Sequence, residues 1–382
     1  MNEVLCSKTA FRYWRCPPQI RDLYPCLPEN FEGPQRLAAS TLICDVLKSP
    51  LFVLQLADDA RHSSGLKRSV SYAFEPDHGD ILETDLGFRV TSPLMTLFTM
   101  ARVASSLDLV MMMYEFCGWF TLYKPPSHLE CSLSKHGNVI TTDETDSPDQ
   151  EEDLLALSDH WVRIVAAYGK NAGKLTKLWR RPPLVSVDEL RSFAAKHRRD
   201  RYGQKFYAAA AKVFGITASP LEVQAALLLA LPRDQGGYGF EHVSLNDWTP
   251  LTKPAKLLTW SKEFYGDVVL VNPKLMKTVI IECQGEMVHG SGAILPSDSN
   301  RMLALQASGY DVLLVVSEIL SDMEQFAVAV KTACNRLDIP FVPKSDEEKG
   351  YEANLRSRIF CDWLKLVPED QNDCKNGYGR KL

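Results

Sequence analysis

Two carboxylates and an amide, spaced for neighbouring strands, are the side chains of this sequence best placed to do chemistry. Within Tyr265–Val316, apolar β-branched runs cover Asp267–Val271, Thr278–Cys283 and Val312–Val316. A Pro-containing turn separates the first two runs, which predicts an antiparallel hairpin. Asp267 opens one strand and Glu282 closes the next. Gln284 follows on the same face, because strand side chains repeat every second residue. Such a hairpin gathers its oxygens at one end of a sheet, where they suit Mg²⁺ (or Mn²⁺), since hard cations take oxygen ligands and keep several waters. Charges at the ends of buried strands also need a reason, because an unpaired buried carboxylate is costly.

The flanking segments carry further candidates, each with a structural alternative. Ser219-Pro220-Leu221-Glu222 opens the helical run LEVQAALLLALP, so Glu222 is either a site carboxylate or half of a capping box. A helical pattern from about Ser297 to Ser308, closed by Gly309, holds Asp298 and Arg301. Asp298 in a first turn is favoured by the helix dipole, and Arg301 three residues on can pair with it or clamp a phosphate. His289 lies in a glycine-rich turn after Gln284 and is either a proton donor or a solvated structural histidine. Gly285 serves the turn.

Taken together, helix (Glu222), strand (Asp267), strand (Glu282, Gln284), helix (Asp298, Arg301), strand and helix resemble the PD-(D/E)XK nuclease superfamily. The likeness covers roughly residues 215–320 and is greatest to small endonuclease-like domains related to very-short-patch repair endonucleases. Those domains show a Ser-x-x-Glu helix start, an aspartate-bearing strand, a Glu-x-Asp-Gly turn with a nearby His, and Asp-x-x-Arg on a helix ending in Gly before a strand. The corresponding residues here are Ser219…Glu222, Asp267, Glu282-Cys283-Gln284-Gly285, His289 and Asp298-Ser299-Asn300-Arg301…Gly309. The resemblance implies a Mg²⁺ held by Asp267 and Glu282 with the Cys283 backbone carbonyl, and Glu222 in the outer shell or on a second ion. It also implies Arg301 on a phosphate and His289 as proton donor to the leaving oxygen. Gln284 departs from the pattern, where a Lys or Asp is usual. An amide orients a water but neither takes its proton nor adds charge. Some restriction endonucleases cut with Glu-x-Gln, so the resemblance implies a DNA endonuclease or a nuclease-derived effector. The second expectation is a nuclease fold without catalysis, acting as a DNA-binding or antitoxin-like regulator. RNA fits the same phosphodiester chemistry.

Charge distribution agrees with a polyanionic partner. The chain of 382 residues has a net charge of −5. Trp161–Lys205 holds twelve Lys and Arg against three Asp and Glu, a local surplus of nine that includes Arg198, Arg199 and Arg201. This band is either a phosphate-backbone surface or a solvated helical face. Residues 141–153 carry seven acids and no Lys or Arg, which reads as a linker.

The elements that must position the site follow from the rest of the chain. The expected fold is α/β: a C-terminal restriction-endonuclease-like mixed sheet flanked by helices, preceded by a separate α+β N-terminal domain. The divisions are 1–140, an acidic linker 141–160, a basic segment of loops and helices 161–214, the endonuclease-like domain 215–345 and a charged tail 346–382. Residues 1–30, rich in Pro and aromatics, read as an extended arm docked on its own domain, with Arg12, Trp14 and Arg15 as alternative nucleic-acid contacts. Strands are expected at 51–57, 69–74, 88–92 and 341–343, and helices at 34–48, after Ser92, over DLVMMMYEFCG, after a Ser321–Glu324 capping box and over 351–366. Met111–Met113 read as core. The segment GFRVTSPLMTLFTMAR resembles part of the abortive-infection AbiEi-type antitoxin-like proteins, which implies a phage-defence setting. GGYGF at 236–240 lacks the Lys-Ser/Thr of a phosphate loop. Ten scattered cysteines, no secretory h-region and no membrane-length apolar run lead to the expectation of a reduced, cytoplasmic protein without a membrane partner.

Overall fold

Prolines do not keep the N-terminal stretch extended. The computed structural model describes residues 3–27, 40–55, 65–71, 76–130, 161–166, 173–259, 264–284 and 296–367, with backbone alone over 296–299. Strand β1 (Val4–Leu5) leads directly into the Ser7–Arg15 helix, which replaces the expected arm. The prolines fall behind it: Pro17 precedes a second short helix, Pro18–Arg21, where Pro18 takes the first position and its missing N–H costs nothing. Arg12 donates to the Leu47 carbonyl, and the Trp14 indole donates to the Thr91 carbonyl at 2.9 Å. These contacts, with those of Arg15 below, turn the suggested nucleic-acid residues inward. Strand β1 is central in a five-stranded sheet with β2 (Leu51–Gln55), β3 (Lys67–Ser71), β4 (Ile81–Glu83) and β5 (Arg89–Thr91), ordered β3-β2-β1-β5-β4. The expected 34–48 helix falls partly outside the described residues and ends as a wide helical turn, Ile43–Leu47.

Ser92 and Ser105 cap the Pro93–Met100 and Ser106–Cys117 helices, each hydroxyl accepting a first-turn N–H. Met111, Met112 and Met113 are fully buried. The second sheet corrects the reading of the basic segment as loops and helices, since two of its strands lie there. Its strands β6 (Phe120–Leu122), β7 (Val162–Val165) and β8 (Leu175–Arg180) are ordered β6-β8-β7. Two helices follow, Val187–Lys196 and Gly203–Ala210, meeting at Tyr202, whose φ is +71°.

The third sheet positions the candidate site. Helix Pro220–Ala230 precedes β9 (Val243–Trp248), β10 (Tyr265–Asn272) and β11 (Lys277–Gln284). Helix Pro296–Ala307 then leads to β12 (Asp311–Val316). The order is β12-β11-β10-β9, with β9/β10 and β10/β11 antiparallel and β11/β12 parallel. Val268, Leu270, Val279 and Ile281 pack in the main core with the leucines of Pro220–Ala230. Val269 and Ile280, on the other face, pack with Leu305 and Val312. Covering on both faces explains why these strands read as unbroken apolar runs.

The C-terminal residues are not a tail as far as Val367. Ser345, with Glu348, forms a reciprocal capping box for helix Asp346–Ile359, and Leu355, Ile359, Trp363, Leu366 and Val367 join the main core. Residues 341–343 form no strand, and the cap of helix Met323–Leu337 is Asp322 rather than Ser321. The same core contains Phe11, Phe116, Phe206 and Val268, so buried contacts cross the expected boundary at 141–160, which itself lies outside the described residues. Its polar tie is Arg15. The Arg15 guanidinium pairs twice with fully buried Glu115, at 2.8 and 2.5 Å, and donates to the Trp363 carbonyl at 2.9 Å. Thr121 on β6 donates to the same carboxylate at 2.7 Å.

Removing one partner of this pair strands a charge in the core. Arg15→Ala is expected to lower unfolding free energy by about 3–5 kcal/mol, and Arg15→Met with Glu115→Leu to recover much of that loss. Urea unfolding followed by circular dichroism checks both.

Candidate functional site: a buried carboxylate cluster beside Arg301

The β10/β11 register pairs Val268 with Ile281. Asp267 and Glu282 are the next residues on the two strands, just past that last registered pair. Phe264 packs with Val269, Ile280 and Leu305 beneath helix Pro296–Ala307, so strand alternation turns Tyr265 and Asp267 to the opposite face, the side of Glu222. Gly266, between Tyr265 and Asp267, sits where a Cβ would come within 2.9 Å of Ile280 and Val269, so no larger residue fits without displacing Asp267's neighbours. The Asp267 carboxylate accepts the Cys283 amide N–H at 2.7 Å, which ties the two strands at this end. Cys283 therefore contributes its N–H here.

Glu222 reaches the cluster from the start of helix Pro220–Ala230. Ser219 caps that helix, but the return bonds go to the Ala218 N–H at 2.7 Å and the Ser219 hydroxyl at 2.7 Å. Asn246 of β9 adds a bond at 3.0 Å to the same Glu222 oxygen as Ala218. Both carboxylate oxygens are thus occupied, and Glu222 works as a cap that also contributes charge to the cluster. Asn246, which was not among the residues singled out from sequence, has φ +45°. Only the short polar run in VSLNDW hints at it, since Asn tolerates this region better than β-branched residues do.

Glu282 is held differently. One oxygen lies 3.4 Å from the Arg301 guanidinium; the other is buried with no hydrogen-bond partner among the described residues. Arg301 also donates to the Tyr265 carbonyl at 2.8 Å and lies 5.3 Å from the Phe264 ring centre. Burial, then the neighbouring Asp267, pushes the Glu222 carboxyl up to about 7. The same two causes, opposed by Arg301, push Glu282 up to about 8. Burial also raises Asp267, against the pull of Arg301 and the Cys283 N–H. Burial raises all three carboxyls, and Arg301 is the guanidinium paired to the cluster among the described residues.

Other sequence candidates lie elsewhere. His289 and Gly285 fall outside the described residues, and Asp298 lies on helix Pro296–Ala307 with its side chain outside them. The basic band is divided by the fold. Arg181 is fully buried beneath the Glu115 carbonyl, Arg163 bonds the Thr176 carbonyl, Arg191 bonds the Val213 carbonyl, Lys196 pairs with Asp77, and Lys205 caps the carbonyls of Ala101 and Ala104. Arg198, Arg199 and Arg201 stay exposed, with Arg198 over Tyr207 and Arg201 over Tyr202.

Among the described residues, no group of three or more His, Cys, Asp or Glu side chains is arranged to hold a metal ion, and no helix is long and apolar enough to cross a membrane. The described cysteines are all free thiols. Comparison with family models, curated proteins and solved structures gives no match.

The raised carboxyls make stability depend on pH with a definite sign. An unfolded glutamate ionises near 4.5, whereas folded Glu222 and Glu282 keep protons to about 7 and about 8. The folded state binds more protons between these limits, so stability falls as pH rises through the window. Thermal unfolding in EDTA is expected to show a loss of about 2–4 kcal/mol between pH 5 and pH 9. Glu282→Gln should flatten that slope.

Proposed function

We propose that this protein is a Mg²⁺- or Mn²⁺-dependent endonuclease, or an effector derived from one, that hydrolyses DNA phosphodiester bonds with a restriction-endonuclease-like core within 215–345. The observation that carries the proposal is the Asp267/Glu282 pair on adjacent strands, with one Glu282 oxygen buried and without a hydrogen-bond partner among the described residues. The order of hairpin, helix and parallel strand supports it.

The donor set fits a hard dication. Mg²⁺ needs only one or two carboxylates when waters and phosphate complete its shell, so a three-residue cage is not required. Asp267 and Glu282 would hold the ion, while Glu222, occupied by its cap, adds charge from outside. A bound Mg²⁺ supplies Lewis acidity toward a water and a phosphate oxygen. The protein's own residues do the rest. Arg301, anchored on the Tyr265 carbonyl, would meet a phosphate with a planar pair of donors. Gln284 shares the face of Glu282 and would orient a water through its carbonyl oxygen, leaving the proton to another acceptor.

A second reading is a nuclease-fold DNA-binding or antitoxin-like regulator without catalysis. Gln284 in place of a base, and Arg301 paired to Glu282 rather than held apart from it, favour this alternative.

Purified protein incubated with supercoiled plasmid and Mg²⁺ or Mn²⁺ separates the two. The nuclease is expected to nick or linearise plasmid, with Asp267→Asn and Glu282→Gln each losing at least about 100-fold, the scale of a lost electrostatic contact to the transition state. Absence of cleavage, or cleavage indifferent to Glu282, would falsify the enzymatic proposal. The regulator instead predicts salt-sensitive DNA binding that ignores Mg²⁺ and weakens when Arg198, Arg199 and Arg201 are neutralised.

A further inference from the structure

Trp248 is 58% exposed, whereas the other described tryptophans are buried or half-buried. Indole is a large apolar surface that folding normally covers, so an exposed one on a regular strand lacks a packing role. Its position is informative. Strand β9 pairs with β10 so that Trp248 lies opposite Tyr265 and Asp247 opposite Gly266. Asp267 is two residues along from Tyr265. A strand spacing of about 4.8 Å and a rise of about 3.4 Å per residue put the Trp248 and Asp267 Cα atoms roughly 8 Å apart. The indole therefore borders the carboxylate cluster on its outer side, because β9 is the edge of the sheet.

The chain leaving Trp248 adds charge. Lys253, Lys256 and Leu257 are exposed on the segment that follows, Leu257 to 88%. That segment is fixed to the helix bearing Arg301 and to the residues just behind it. The Ala255–Leu257 turn packs on helix Pro296–Ala307, the Thr252 N–H donates to the Ser308 hydroxyl at 3.1 Å, and the Tyr310 hydroxyl donates to the Pro250 carbonyl at 3.2 Å. The nearest acid on β9, Asp247, accepts from the Ser244 hydroxyl at 2.7 Å. An exposed indole and, within the next eight residues, two exposed lysines thus lie at the edge strand next to the one that bears Asp267.

Lysines recognise phosphates as point charges, and an exposed indole recognises the face of a base. A base within a duplex already stacks on its neighbours and cannot offer that face. We infer that Trp248, with Lys253 and Lys256, binds a single-stranded segment of nucleic acid. One base stacks on the indole while the adjoining backbone runs along the lysines toward Asp267 and Glu282. The inference rests on the nuclease reading for the chemistry of the site, but binding without metal tests it separately.

The test is fluorescence anisotropy of the full chain in EDTA. The probes are a labelled mixed-sequence DNA single strand, the RNA of the same sequence and the matching DNA duplex. Either single strand is expected to bind at least about tenfold tighter than the duplex. Trp248→Ala should weaken it about 10- to 100-fold, the range of one base–aromatic stack, and Trp248→Phe should retain most of the affinity. Lys253→Ala with Lys256→Ala should make binding less steeply salt-dependent. The inference is overturned by equal or tighter duplex binding, by no binding of any probe, by an unchanged salt dependence in the lysine variant, or by wild-type affinity in Trp248→Ala at unchanged melting temperature. Mg²⁺-dependent cleavage indifferent to Glu282→Gln defeats the nuclease reading instead, and leaves the EDTA result to stand by itself.

Discussion

The antiparallel register of β10 and β11 is the constraint on which the site depends. Pairing Val268 with Ile281 brings Asp267 and Glu282 to the same end of the two strands, and a slip in that register would carry them apart. What holds that register is packing on both faces. Val268, Leu270, Val279 and Ile281 are buried against one helix, and Val269 and Ile280 against the other. The carboxylates stay at the end of the strands because the hydrophobic pattern leaves them nowhere else to go.

Burial then sets the chemistry. Water would keep three carboxylates ionised, but here each is shielded and close to the others, so Glu222 and Glu282 hold protons near neutral pH. Arg301 is the one guanidinium paired to the cluster among the described residues, and its anchorage on the Tyr265 carbonyl makes it part of the architecture. Protonation and the one arginine are the two ways in which the described residues balance this charge. Glu222, with both oxygens in its cap, is the member least free to take part.

A second buried charge system lies at the other end of the chain. Arg15 and Glu115 join the first helix to the second sheet and to the C-terminal helix region, so residues far apart in sequence share one core. Neither partner looked structural in the sequence. Arg15 stood in an aromatic, Pro-rich stretch that read as an arm, and Glu115 stood in a methionine-rich helix. The basic band is a related case. Local charge counting treats Arg163, Arg181 and Lys205 like Arg198, although the first three are spent on carbonyls and carboxylates inside the fold.

The sequence by itself determined the elements that depend on local rules. These are the hairpin, the helix after Ser219 with Pro220 in its first turn, the helix before Gly309, the parallel strand after it and the buried methionines. Periodicity, capping and turn chemistry act over a few residues and are written in the chain. Tertiary structure alone decided the rest. It added β9 as a fourth strand with Asn246 on Glu222, gave Glu222 to its cap, set Arg301 on Glu282, drew the first helix and Val367 into one core and left Trp248 uncovered. Those outcomes turn on which surfaces meet across long separations and on which charges lose their water, and no local pattern encodes either.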